Sequence, residues 1–570
     1  MHEPSEPLGP APERVAAAFR ALTLALLEDP ERLIAAHRGL RADVARLWER
    51  HARRLAGEAV DPLVRPAAGD RRFVDPLWSE EAAFDTIKQA HLLFARRLLD
   101  LARTVPGLDP AARRLVLFVA RHHLDALSPA NFPFTNPAVL EAARASGGAT
   151  LARGLRRLAA DRAAGRWPGA GAPAFRLGET VAATKGWVVF ENGLLQLIQY
   201  APTTAFVRET PLLVVPSWIN KFYVLDLRPE NSLVRWAVGE GFTVFAVSWV
   251  NPDGRHAARG FDDYLGALEE ALDAVRRQTG AHGASLLGYC LGGTLAACLA
   301  AFLAARGLGG RVRGLGLLAA PLDFAEPGEV GVFVDAAEVD ALERHMAAKG
   351  YLEAEAMQGL FRALRANDLI WPAAVDAYLL GRPPRSFDLL CWSADGTRLP
   401  ARLHLFCLRG LYGQNLLARP GALEVEGTPI DLGRIGAPCF SLALKDDHLV
   451  PWASVHAGGR LLQERPTFVL GGSGHVAGVV NPPDARKYAY WTNPAEPPDA
   501  AGWLEGARRH PGSWWPFWRD WLLRHAGGAS APRDPERGPL PPIEPAPGRY
   551  VRMLAEDPPD GRDDLRGDPE

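Results

Sequence analysis

At 570 residues, with 48% hydrophobic and 23% charged side chains, the chain is long enough for more than one domain around a large core. A formal net charge of −2 supplies no basic surface for neutralising phosphates, which argues against a nucleic-acid partner. The five cysteines (Cys290, Cys298, Cys391, Cys407 and Cys439) are odd in number and lack C-x-x-C spacing, so free thiols are expected rather than a disulfide framework or a metal site.

The first residues, Met1-His2-Glu3-Pro4-Ser5-Glu6-Pro7, have neither the basic nor the apolar region of a secretion signal, and a cytoplasmic location is expected. From residue 12 to 165 the pattern is helical. Val15–Leu27, Ala82–Ala102 and Ala111–Leu127 repeat apolar residues at three- and four-residue steps, with Arg and Glu between them. Pro62–Pro76 and Ser128–Pro137 are rich in turn formers and interrupt the helices, and Ala163–Pro173 reads as a linker. A helical N-terminal domain over 1–173 follows.

Beyond it, short apolar runs appear at Leu212–Val215, Thr243–Val247, Ser285–Tyr289, Gly314–Leu318, Phe440–Leu444 and Thr467–Leu470, with helical patterns at Asp262–Arg277 and Gly293–Ala305. Strand alternating with helix predicts an α/β fold with a mostly parallel, doubly wound sheet covered on both faces. The helix-rich stretch Ala325–Ile435 far exceeds the roughly dozen residues of a plain crossover and reads as an inserted cap. The α/β core is therefore split into 174–324 and 436–525, flanking a cap at 325–435. Residues 526–570 are dense in Pro, Gly and charge and read as a loosely packed tail.

The chemistry concentrates at Gly288-Tyr289-Cys290-Leu291-Gly292, which has the spacing of a nucleophile elbow, the sharp strand-to-helix turn that lifts one side chain clear of the backbone. The uncharged run Gly283–Ala305 approaches the about 20 residues of a membrane span, but the turn signal of Gly288, Gly292, Gly293 and Thr294 argues against one, and no transmembrane segment is expected. Cys290 is then a candidate nucleophile, in need of a base because free thiols titrate near about 8.5. In this fold the partners follow in the order acid, then histidine. Phe440–Leu444 runs into Lys445-Asp446-Asp447-His448, and Thr467–Leu470 runs into Gly471-Gly472-Ser473-Gly474-His475. Both lie at the carboxyl ends of predicted strands, where catalytic groups of parallel sheets collect. Spacing alone does not separate Asp446 from Asp447. The oxyanion hole would use the backbone N–H of Leu291 and one from the loop after Leu212–Val215, near Trp218. Cys298 lies about 12 Å further along the following helix, at ~1.5 Å per residue, and is not a convincing second thiol. Trp514, Trp515, Trp518 and Trp521 recur at helical spacing, which predicts a terminal helix packed on the core.

Taken together these segments resemble the polyhydroxyalkanoate synthases, specifically the long single-chain class I type. Gly288–Thr294 is similar to that family's lipase-like box. Pro216-Ser217-Trp218-Ile219-Asn220-Lys221-Phe222-Tyr223 is similar to its P-x-x-I-N-K-[YF]-Y segment. Asp447-His448-Leu449-Val450-Pro451-Trp452 resembles its acid motif, Ser473–Gly478 its histidine motif, and Pro511-Gly512-Ser513-Trp514-Trp515-Pro516 its C-terminal motif. The likeness spans roughly 70–550 and departs at Ser217, Val250 and Ala366.

The resemblance implies an α/β-hydrolase fold, Asp447 rather than Asp446 as the acid, and Arg365 as a contact for coenzyme A phosphates, an arginine suiting phosphate by its forked donors. It also implies polymerisation of (R)-3-hydroxyacyl-CoA, with short chains favoured, into a polyester with release of CoA. The work would be done by a homodimer at the surface of polyester granules, with no metal or organic cofactor.

Overall fold

The computed structural model describes all residues except 1–8, 68–69, 165–174, 365–369, 384–386, 496, 498 and 555–570. The chain divides into two units: residues 1–172 with 359–386, and residues 173–358 with 387–570.

The first unit is helical. Its principal helices are α1 (Pro12–Glu28), α2 (Pro30–Leu55), α3 (Ala82–Thr104), α4 (Pro110–Ala126), α5 (Pro137–Ala145) and α6 (Ala149–Ala163). Several starts share one device. A proline occupies the first turn, where its missing N–H is no loss, and Asp29, Asp109 or Asn136 before it accepts from the exposed backbone N–H groups. Inside the unit, Asp85 is buried against Arg50, Arg54 and Lys88, and Asp43 against Arg46 and Arg97. Residues 359–386, which belong to the stretch expected to be cap, group with these helices. The segment Val375–Leu379 lies so close to α6 that a Cβ on Gly154 would fall 1.8 Å from the Tyr378 carbonyl oxygen, so only glycine fits there. The Tyr378 hydroxyl reaches Asp161 at 3.3 Å.

The second unit is built on an eleven-stranded sheet. In chain order its strands are β1 (Gly186–Glu191), β2 (Leu195–Tyr200), β3 (Leu212–Val215), β4 (Val244–Trp249), β5 (Ala284–Tyr289), β6 (Val312–Leu318), β7 (Cys439–Leu444), β8 (Thr467–Gly471), β9 (Ala489–Thr492), β10 (Arg508–Pro511) and β11 (Glu544–Pro545). The order across the sheet is β10-β9-β8-β7-β6-β5-β3-β4-β2-β1-β11. The six central strands, β8 to β4, run parallel. They are the six apolar runs read from the sequence, and they are buried almost throughout, as strands covered on both faces must be. The helices Phe261–Thr279 and Leu291–Ala305 carry crossovers between them, and the second is buried along nearly its whole length.

The flanks are antiparallel, and none of their strands is among the six apolar runs read from the sequence: the β1–β2 hairpin on one side and β9 and β10 on the other. The expectation of a loose tail fails for residues 526–554. β11 pairs with β1, Gln196 donates to Glu544 at 2.6 Å, Gln199 donates to the Arg533 carbonyl at 2.9 Å, and Leu540 N–H donates to Gln278 at 2.8 Å. A proline-rich segment lacks regular hydrogen bonds of its own, and here buried glutamines of the core supply them. Among the described residues no helix is long and apolar enough to cross a membrane.

Candidate active site

β5 ends at Tyr289, the next helix starts at Leu291, and Cys290 between them takes φ 54° and ψ −132°. A non-glycine residue at positive φ is strained and persists only where its surroundings hold it. Here the Cys290 N–H donates to the Leu318 carbonyl at 2.9 Å, and the Cys290 carbonyl accepts from Gly293 N–H at 2.8 Å. The bend also requires atoms to approach more closely than any side chain allows. A Cβ on Gly288 would meet Gly293 Cα at 2.3 Å, and one on Gly292 would meet the Val215 carbonyl oxygen at 2.3 Å. Cys290 is partly exposed, whereas Cys298, Cys407 and Cys439 are buried. Burial pushes the Cys407 and Cys439 thiols up to about 12 and the Cys298 thiol higher still, so none of these three forms thiolate near neutrality.

The two downstream groups come from neighbouring strand ends. β7 leads into the loop holding Asp447, β8 into the loop holding His475, and the two side chains meet through His475 Nδ1 and Asp447 Oδ2 at 2.6 Å. The other carboxylate oxygen accepts from the N–H groups of Leu449 at 2.9 Å and Val450 at 3.0 Å, which fixes its orientation. Asp446 is exposed, so the structure separates the two aspartates that spacing leaves equivalent. Burial disfavours a charged His475 ring. The negative charges of Asp447 and Cys290, with hydrogen bonds to both side chains, outweigh it and hold the imidazole well above the usual histidine range. His475 and Asp447 therefore form one hydrogen-bonded line, whose charge is coupled to the Cys290 thiol.

Three aromatic residues hold that line in place without belonging to it. The Tyr289 ring packs on the His475 ring at 5.2 Å, and its hydroxyl donates to the His475 carbonyl at 3.3 Å. The indoles of Trp514 and Trp515 donate at 2.9 Å to the carbonyls of Gly478 and Val479, in the loop that carries His475. Trp514, Trp515, Trp518 and Trp521 are all buried, as a packed terminal helix requires. Their helical spacing predicts the burial. The two N–H bonds to the histidine loop have no signature in the sequence.

The loop after β3 reaches the elbow at Pro216, whose carbonyl accepts from Trp249 Nε1 at 2.9 Å. Trp218 follows, with its ring buried beside Tyr264 at 5.7 Å. Among the described residues no backbone hydrogen-bond partner takes up the N–H of Leu291 or of Trp218. Arg365 lies outside the described residues. Among the described residues no group of three His, Cys, Asp or Glu side chains could hold a metal ion.

Two family models match the chain: "Poly-beta-hydroxybutyrate polymerase (PhaC) N-terminus" over residues 69–237 and "alpha/beta hydrolase fold" over residues 237–482. The poly(3-hydroxyalkanoate) polymerase of Methylorubrum extorquens is 42% identical over 535 residues, 93% of this chain and 88% of that one. The poly(3-hydroxyalkanoate) polymerase subunit PhaC of Cupriavidus necator is 42% identical over 520 residues, 90% of this chain and 87% of that one. The chain belongs to the poly(3-hydroxyalkanoate) polymerase family. It is thus a member of an acyltransferase family on an α/β-hydrolase fold.

Two further segments, 216–223 and Asn251, have a physical role in the same unit. Lys221 is buried in an ion pair with Asp395, and the Tyr223 hydroxyl donates to the same carboxylate at 2.8 Å. Trp392 Nε1 donates to the Lys221 carbonyl at 2.8 Å. Asn251 Oδ1 accepts from Thr397 Oγ1 at 3.1 Å and from Arg398 N–H at 3.0 Å, while its amide donates to the Leu554 carbonyl at 3.1 Å. Segment 216–223 and Asn251 thus fasten residues 392–398 and the C-terminal residues 553–554 onto the sheet unit.

Proposed function

We propose that this chain polymerises (R)-3-hydroxyacyl-CoA, releasing CoA, through a thioester on Cys290. The observation that carries the reading is the strained, partly exposed thiol at the elbow, with a buried His475–Asp447 pair to whose charge it is coupled. The Cys290 sulfur would attack the thioester carbonyl and give up its proton to His475. The carbonyl–sulfur bond to CoA breaks, and the departing CoA thiolate takes a proton from the imidazolium. One thioester replaces another, so the acyl group stays activated. Transfer to the 3-hydroxyl of another substrate, which loses its proton to His475, forms the more stable oxoester and returns the Cys290 thiol. Elongation therefore runs downhill, an advantage that a serine ester would forfeit.

Asp447 orients the imidazole and stabilises its charged form. The free N–H groups of Leu291 and Trp218 serve the developing oxyanion, and Arg365 contacts the CoA phosphates. Short acyl chains, a homodimer, a cytoplasmic location at the polyester surface and independence of metal or organic cofactors complete the proposal, supported by the family motifs.

The test is to add (R)-3-hydroxybutyryl-CoA to the full chain and follow free CoA together with turbidity and product length. CoA with polymer is expected; CoA with free hydroxy acid would make the chain a hydrolase. Cys290→Ala should abolish CoA release, whereas Cys298→Ala retains most of it. Equal losses in the two variants would overturn the assignment of the nucleophile.

A further inference from the structure

The helical unit holds a cavity that none of the sequence motifs touches. It measures about 500 Å³ and is lined by Arg153 and Arg157 of α6 and by Ala377, Leu380, Arg382 and Pro383 of the segment packed on that helix. Cavities that take small organic ligands measure about 300–1,000 Å³. The segment beside it has rare backbone. Val375–Leu379 winds as a π-helical turn, a conformation frequent at functional sites, and Gly381 follows with a left-handed φ of 59°.

The three guanidinium groups differ in what they are committed to. Arg157 pairs with the buried Asp161 at 3.3 Å, and Arg382 pairs with Asp376 at 3.0 Å. Arg153 meets no carboxylate among the described residues. Its Nε donates to the Gly381 carbonyl at 2.9 Å, which holds the side chain across the cavity wall, and its two terminal nitrogens have no partner among the described residues. The lining thus carries one positive charge more than the carboxylates paired with it. The remaining surface is hydrocarbon, with Ala377 and Leu380 buried. Uncommitted forked N–H donors suit a planar carboxylate. A phosphate dianion would leave one negative charge unbalanced beside apolar side chains, which burial penalises.

We infer that this cavity binds a carboxylic acid with an apolar chain, its head on Arg153 and its chain along Ala377 and Leu380. The site is built wholly from residues of the helical unit, and the inference does not rest on the polymerase reading above.

Calorimetric titration of the full chain with octanoate at pH 7 tests it, with acetate, 1-octanol and inorganic phosphate as comparisons. Octanoate should bind at least roughly tenfold more tightly than each of the three, because the charged head and the buried chain each contribute on that scale. Arg153→Gln should weaken octanoate by at least roughly tenfold and leave 1-octanol unchanged. Arg153 is exposed, so the variant should keep the thermal midpoint of the parent. Arg156→Gln, on the same helix but outside the cavity lining, should leave octanoate binding as it was. Equal losses in the two variants would show attraction to the general charge of the helix, and phosphate binding as tight as octanoate would show a plain anion site. Either result overturns the inference, as does the absence of octanoate binding. Octanoate that still binds after Arg153→Gln and protects Cys290 from iodoacetamide would place the acid at the thiol, and would overturn it too. CoA release measured without octanoate should be the same in Arg153→Gln as in the parent, so these outcomes leave the polymerase reading to its own test.

Discussion

In the helical unit the charges sit inside: Asp43 and Asp85 are almost wholly buried among arginines and a lysine, far along the sequence from any motif. In the hydrolase unit the six parallel strands bury apolar side chains and serines almost exclusively, and the Asp447–His475 pair stands where they end. The difference separates two uses of a buried carboxylate. Asp85 is surrounded by permanent cations and keeps its proton off at every ordinary pH, which suits a structural clasp. Asp447 faces one titratable ring that must change charge, which suits proton transfer. Substituting each by its amide tests whether that division holds.

The largest effect is expected at Asp447. Asp447→Asn removes the charge that offsets the burial of His475, so the ring's pKa falls and the imidazolium is no longer favoured near neutrality. CoA release should drop by about 10²–10⁴-fold, as when a triad carboxylate is neutralised. Alkylation of Cys290 by iodoacetamide at pH 7 should slow with it, and recover as the pH is raised. A histidine held above its unfolded value stabilises the fold most below that value, and the contribution disappears as pH rises through the folded pKa. The pair's contribution to stability should therefore fade on the alkaline side. A variant that folds normally and keeps its neutral-pH alkylation rate would show that Asp447 does not govern the ring.

At Asp85 the loss should be of stability and have the opposite pH dependence. Burial raises this carboxyl, but hydrogen bonds from Arg50, Lys88 and Arg54 outweigh it and leave the pKa lowered. Stability from a depressed carboxyl is present above its unfolded value of about 3.9 and is lost as pH falls through the folded one. Asp85→Asn leaves the buried Arg50 and Lys88 and the part-buried Arg54 without their anion and should destabilise the helical unit by about 3–5 kcal/mol at pH 7. Urea unfolding at pH 7 and at pH 3 checks both parts, since the gap between variant and parent should narrow in acid. A gap that widens in acid would mean that the cluster is not held together by charge.

What could be read from the sequence follows the same division. The parallel strands announce themselves because covering both faces demands uninterrupted apolar residues, and Leu212–Val215 falls on its observed strand without adjustment. The elbow is equally plain, since only glycine allows the approaches at 288 and 292. The antiparallel flanks are less plain: Gln196 and Gln199 interrupt the apolar pattern of β2, because this strand meets a proline-rich C-terminal segment. Nor does local sequence reveal that residues 359–386 complete a helical unit more than 180 positions upstream, since a side chain such as Tyr378 carries no mark of its partner. Within the site, Cys290 follows from the elbow spacing, and His475 from chain order and its place after a strand. Tyr289, Trp514 and Trp515 do not, because they donate to backbone carbonyls, which any buried tyrosine or tryptophan of the core could have done.

Those backbone contacts give the smallest and most local test of how the site is held. Trp515→Phe keeps an aromatic ring in the buried position and deletes the N–H that donates to the Val479 carbonyl. The Val479 carbonyl still accepts from Asn481 N–H at 3.0 Å, so the substitution removes one of two hydrogen bonds, a net loss of about 0.5–1.5 kcal/mol. That loss falls on the loop carrying His475 rather than on the sheet, whose strands retain their pairing. Global stability should therefore drop only slightly, while CoA release falls by roughly tenfold because the ring is less often aligned with Cys290. The neighbouring Trp514→Phe, which unpairs the Gly478 carbonyl, should behave alike, and the double substitution should exceed either one. Amide exchange over 474–481 measures the loosening directly. If exchange there is unchanged while the whole unit loses stability, the indoles support the core as ordinary packing and His475 is held by Asp447 and Tyr289 alone.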